Sequence, residues 1–137
     1  MCLRRRFFKS PIETVAAGEK GRVLFHIGRI CIKQLTLRYN ADDTTGSNKN
    51  KWLIKVDGQE ILNMSLKDIY VNLCGYAAAP NSDRPVIMFA YSESGNIYTV
   101  IFHDLGRVEE SIEVWLENVD TSNLCYVSAG MVYDVLE

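Results

Sequence analysis

Apolar and polar positions alternate along most of this chain with a period of two, in short runs broken by turn residues. Ile112, Val114 and Leu116 interleave with Glu113, Trp115 and Glu117, so a strand over about 111–119 turns one face toward a core. Similar runs occupy about 22–27, 29–39, 52–56, 59–62, 86–92, 96–103 and 124–136. In the first, Val23, Phe25 and Ile27 share a side; in the second, Cys31, Leu35, Leu37 and Tyr39 do. Asp57-Gly58 between two apolar runs suits a tight type I′ turn, whose central residues need positive φ. Glu93-Ser94-Gly95 marks a second hairpin, and Gly130 inside the last run signals a bulge or a close backbone approach.

One stretch departs from this period. Leu66, Ile69, Tyr70 and Leu73 recur at helical spacing, with Ser65 placed to cap, Asp68 in the first turn and Gly75 at the end. Residues 40–50 and 77–85 read as loops; the Asp42-Asp43 pair lacks the spaced carboxylates and closing Glu of an EF-hand. A length of 137 residues fits one domain. Eight strands in antiparallel hairpins with one short inserted helix give an all-β fold, a single eight-stranded antiparallel jelly-roll sandwich over 21–137. An immunoglobulin-like sandwich ranks second, since its disulfide and tryptophan spacing is not evident.

Residues 1–20 look different. Arg4, Arg5, Arg6, Phe7, Phe8 and Lys9 mix cations with rings, and Ser10-Pro11 interrupts any helix. The segment reads as a basic arm and lead-in outside the core, so deleting 1–10 is expected to leave the fold intact. Its cations suit phosphates of lipid or nucleic acid, with the rings inserting or stacking. The net charge of −2 gives no bulk attraction to polyanions, and Glu109, Glu110, Glu113, Glu117, Asp120, Asp134 and Glu137 make the last third acidic.

Candidate chemistry is sparse. His103 and Asp104 are adjacent, so a regular strand points them to opposite faces. His26 reads as a surface or interface side chain. Cys2, Cys31, Cys74 and Cys125 form no C-x-x-C pair and are expected as reduced thiols. No nucleophile, phosphate-loop or metal-ligand motif occurs, so neither enzyme activity nor a metal or cofactor is expected. No secretory signal is visible, and no apolar stretch approaches the ~20 residues that span a bilayer. Trp115 on the outer face of its strand and Trp52 at the start of another are candidate contacts for a partner or a sugar ring.

Four stretches carry a resemblance. Residues 15–18 lead into a strand; Gln34-Leu35-Thr36-Leu37-Arg38-Tyr39 forms a second; Ile54-Lys55-Val56-Asp57-Gly58-Gln59-Glu60-Ile61 forms a hairpin; and 111–118 forms an acidic-apolar strand. In this order they resemble jelly-roll coat proteins of tailless, membrane-containing bacteriophages. The resemblance implies a structural virion protein, a capsid subunit or a minor coat, vertex or tail component, assembled in the host cytoplasm. It implies partners that are copies of the same chain or other virion proteins, with the arm touching neighbours, internal membrane lipid or packaged nucleic acid. Many major coat proteins of that group fuse two jelly rolls, and this chain holds one. The alternative is a carbohydrate- or protein-binding β-sandwich module that uses Trp52 and Trp115.

Overall fold

Two antiparallel sheets pack face to face in the computed structural model, which describes residues 4–41, 47–76 and 85–136. Cys2, the Asp42-Asp43 loop and residues 77–84 lie outside the described residues. The larger sheet contains β1 (Arg4–Lys9), β2 (Glu13–Val15), β4 (Ile30–Ala41), β7 (Val86–Ser92), β8 (Ile97–Val108) and β10 (Cys125–Val135). The smaller contains β3 (Lys20–Ile27), β5 (Lys51–Val56), β6 (Gln59–Ser65) and β9 (Ser111–Glu117). Neighbours run β1-β10-β4-β8-β7 in one, with β2 also on β10, and β3-β9-β5-β6 in the other. The all-β sandwich expected from the alternation is therefore present, with ten strands among the described residues where eight were expected.

Alternation explains the core. Ile112, Val114 and Leu116 of β9 are buried, as are Cys125, Val127, Ala129, Met131 and Tyr133 of β10. They meet Leu35, Leu37, Tyr39, Tyr98, Val100 and Phe102 from β4 and β8. Each fully buried large apolar side chain contributes roughly 1.5–3 kcal/mol by leaving water. Asp57 and Gly58 hold φ of 53° and 79°, the left-handed pair a type I′ turn requires. Gly130 pairs regularly with Thr36, and the bulge between β10 and β4 lies on β4, where Lys33 is the extra residue opposite Val132 and Tyr133.

Two buried amides close the ends. Asn50 Nδ2 donates to the Tyr39 hydroxyl at 2.7 Å, and its Oδ1 accepts from Val119 N at 2.9 Å. Asn118 Nδ2 donates to the carbonyls of Val15 and Asn123, and its Oδ1 accepts from Asp120 N. Ser65 caps the inserted helix, accepting from Asp68 N at 3.0 Å. The helix starts as α1 (Leu66–Asp68) and widens into a π turn (Ile69–Leu73), with Cys74 N donating to Ile69 O. The wider turn carries Cys74 into the core and leaves Leu73 partly exposed, against the simple 3.6-residue expectation.

Three sequence expectations change. A register shift between Arg22 and Leu24 flips the end of β3, so Leu24 and His26 turn inward while Phe25 and Ile27 turn outward. Trp52 is wholly buried between the sheets and is not a surface platform. The segment expected as a free arm is an edge strand. Arg4 through Lys9 pair with Val135 through Gly130, and Glu13–Val15 continue along the same side of β10. At the break, Ser10 N donates to Ala129 O and Ser10 Oγ accepts from Ala129 N at 2.7 Å. Pro11, lacking an N–H, sits where the ladder is interrupted.

Deleting residues 1–9 is therefore expected to weaken the fold. It uncovers the β10 edge and removes Phe8, which packs on the core. A loss of about 2 kcal/mol or more corresponds to a melting shift of roughly 5–10 °C, read by circular dichroism. An unchanged melting temperature would restore the free arm.

Candidate functional site

The candidate surfaces are outer faces and edges of the sandwich. Arg5, Phe7 and Lys9 alternate outward from β1, because Phe8 between them packs on the core. Arg5 forms a two-pronged pair with the buried Asp134 carboxylate of β10. That hydrogen bond, with further help from the charges of Arg5 and Lys33, holds the carboxyl below its ordinary range despite burial. Across β1, β10 and β4 this face carries Arg5, Lys9, Lys33 and Arg38 against the carboxylate of Asp134. Pairing splits the expected basic cluster: Arg5 and Lys9 lie on this face, joined by Lys33 and Arg38 of β4, while Arg4 and Arg6 fall on the other side of β1. Phe7 is 76 % exposed between Arg5 and Lys9.

A groove runs along this face over β10. Tyr126, Ser128 and Gly130 form its floor. Lys9, Pro11 and Ile12 form one bank, and Thr36, Arg38 and Asn40 form the other. Lys9 and Thr36 both stand opposite Gly130, so the missing side chain opens the trough between them. A methyl placed on Gly130 meets only the Phe8 carbonyl oxygen, at 3.9 Å. Sequence inspection flags Gly130 and Lys9 separately; only the strand pairing brings them to Arg38 and Thr36.

The opposite face carries the other expected residue. Trp115 is half-buried in a shallow depression with Lys20, Leu53 and Lys55. The Arg22 guanidinium lies 4.4 Å from the Phe25 ring centroid and 5.9 Å from that of Trp115, and it pairs with Glu113 at 3.5 Å. Both edge strands of this sheet expose apolar side chains, Phe25 and Ile27 on β3 and Ile61 on β6. Periodicity hides Ile27 and Ile61, because register shifts in β3 and beside β6 turn them outward.

Reactive side chains are dispersed. His26 packs edge-on against Tyr133 at 5.0 Å, and burial lowers its pKa. His103 stands opposite Gln34, its backbone N–H donating to Pro85 O. Cys31, Cys74 and Cys125 form no disulfide among the described residues, and burial pushes the Cys125 thiol up to about 11. No group of three or more His, Cys, Asp or Glu stands ready for a metal among the described residues. None of their helices is long and apolar enough to cross a membrane.

Asp57 joins two turns. Its carboxylate accepts from the N–H groups of Glu110 (2.7 Å), Glu109 and Ser111, which lower its pKa, Glu110 most. Asp120 is lowered chiefly by Ser122 N–H. Depressed carboxyl values stabilise the fold above the unfolded pKa of about 4 and lose that contribution as pH falls through the folded values. His26, also lowered, works with the same sign below about 6.5. Stability is expected to be flat between pH 7 and 8, to dip slightly below pH 6.5 and to fall steeply below pH 4. Urea midpoints across pH 2.5–8 check this; a rise toward acid would contradict it.

No protein-family model matches this chain, and no curated protein does.

Proposed function

We propose that this chain is a structural building block of a virion, a jelly-roll unit that assembles side by side with copies of itself or other virion proteins. The jelly-roll path is supported by nested pairing. β1 and β2 pair with β10, β3 with β9, β4 with β8 and β5 with β6, as in one long hairpin rolled into a sandwich. β7 adds an outer strand beside β8. The virion setting rests on the resemblance to jelly-roll coat proteins of tailless, membrane-containing bacteriophages.

One observation carries the assembly. The smaller sheet exposes apolar side chains at both edges, with Ile27 72 % and Ile61 49 % exposed. Cations Lys20 and Arg22 accompany the β3 edge, and Glu60 accompanies the β6 edge. Unlike edges that complement one another produce head-to-tail contacts, which close into rings or extend into arrays. Sedimentation velocity of the parent and of an Ile27→Asp, Ile61→Asp double variant tests this. The parent is expected to form large species and the variant to remain monomeric. Equal sedimentation of the two would overturn the edge contact.

A further inference from the structure

We propose that the groove over β10 binds the sugar–phosphate backbone of a single-stranded nucleic acid. This names a partner for the basic segment of the building block above, yet the site lies wholly within one copy, so binding and assembly are read separately. Lys9 stands opposite Gly130 on one bank and Arg38 opposite Ser128 on the other, so the two cations flank the groove diagonally, and neither forms an ion pair among the described residues. Thr36 and Ser128 add hydroxyls between the cations, and no acidic side chain among the described residues lines the groove. From Tyr126 to Gly130 the floor spans about four residue steps, about 13 Å at the rise of a strand, enough for about two backbone units.

Charge complementarity selects a polyanion, and shape selects a strand over a membrane. Phe7 and Ile12 protrude beside the groove, but the cations and hydroxyls line the recess itself, which receives individual phosphates of a strand where a flat bilayer surface does not enter. Phe7 stands on the same face as Lys9, two residues along β1, and offers a ring on which a base stacks while its phosphate enters the groove. The affinity is sequence-independent and salt-sensitive. With about two phosphates neutralised, log K against log salt is expected to slope at about −1.4.

Fluorescence anisotropy with a labelled 30-nucleotide oligothymidylate at low salt tests the site, using protein dilute enough to remain unassembled by scattering. The parent is expected to bind with that slope. Lys9→Glu with Arg38→Glu, and separately Gly130→Leu, are expected to weaken binding at least tenfold. Lys49→Glu with Lys67→Glu changes net charge equally on exposed residues outside the groove and is expected to bind like the parent. Circular dichroism verifies that each variant is folded. Absent binding by the parent, an equal loss in the charge-matched control, or undiminished binding by the groove variants would overturn the proposal. Binding to phosphatidylserine vesicles in preference to the oligonucleotide would also overturn it, in favour of a lipid surface.

Discussion

Replacing Trp52 with alanine is expected to destabilise the protein by about 3–5 kcal/mol, the range for deleting a large aromatic side chain from a core. Trp52 is 0 % exposed and stands in register between Leu116 of β9 and Met64 of β6. Its removal leaves a cavity where β5, an interior strand, crosses the sandwich. For a domain of this size the melting temperature falls by roughly 10–20 °C. Trp52→Phe is expected to cost far less. The indole N–H is buried without a hydrogen-bond partner, so phenylalanine removes a polar group whose burial is already unfavourable. Thermal melts of both variants separate a core role from a surface one. A drop under about 5 °C for Trp52→Ala would mean that the side chain is not where the sheets meet.

Asn50→Ala is expected to cost about 2–4 kcal/mol, because two buried hydrogen bonds disappear together. The amide bridges the Tyr39 hydroxyl and the backbone N–H of Val119, joining the larger sheet to the segment after β9. Its backbone carbonyl, which accepts from Leu66 N, survives the substitution and keeps the helix start in place. The effect therefore belongs to the side chain. Tyr39 is almost wholly buried, and desolvation raises its phenol pKa above the ordinary value. Tyr39→Phe in the Asn50→Ala background is expected to add less than it does alone, since one bond is lost in both. Strictly additive urea-denaturation energies would dissociate the two residues.

The parts of this fold that follow a strict period of two were legible in one dimension. The alternation in β9 marked the inward residues correctly, and Asp57-Gly58 announced its turn. Failures arose where one residue of register was gained or lost. The shift near Val23 exchanged the faces of β3, so Phe25 and Ile27, expected to share a side with Val23, lie outside. The shift in β8 against β4 accommodates Asp104 and Gly106 at positive φ, so that strand runs on to Val108 where a stop near His103 was expected. β1 was mistaken for an arm because its charges imitate disorder. Cations on an edge strand are a usual defence against unwanted pairing, and a row of arginines is compatible with a strand that needs only one neighbour. Trp52 and Trp115 carried equal weight in the sequence. Burial of three successive residues, Trp52, Leu53 and Ile54, needed the knowledge that β5 is an interior strand. The groove needed most, since Lys9, Arg38 and Gly130 are brought together only by pairing across β1, β10 and β4.

Lateral assembly is tested most directly by electron microscopy of the purified chain, concentrated without other proteins. Rings, sheets or shells with a uniform repeat are the expected result, and they should vanish in the Ile27→Asp, Ile61→Asp variant while its circular dichroism stays unchanged. A field of isolated single copies at every concentration would contradict the assembly.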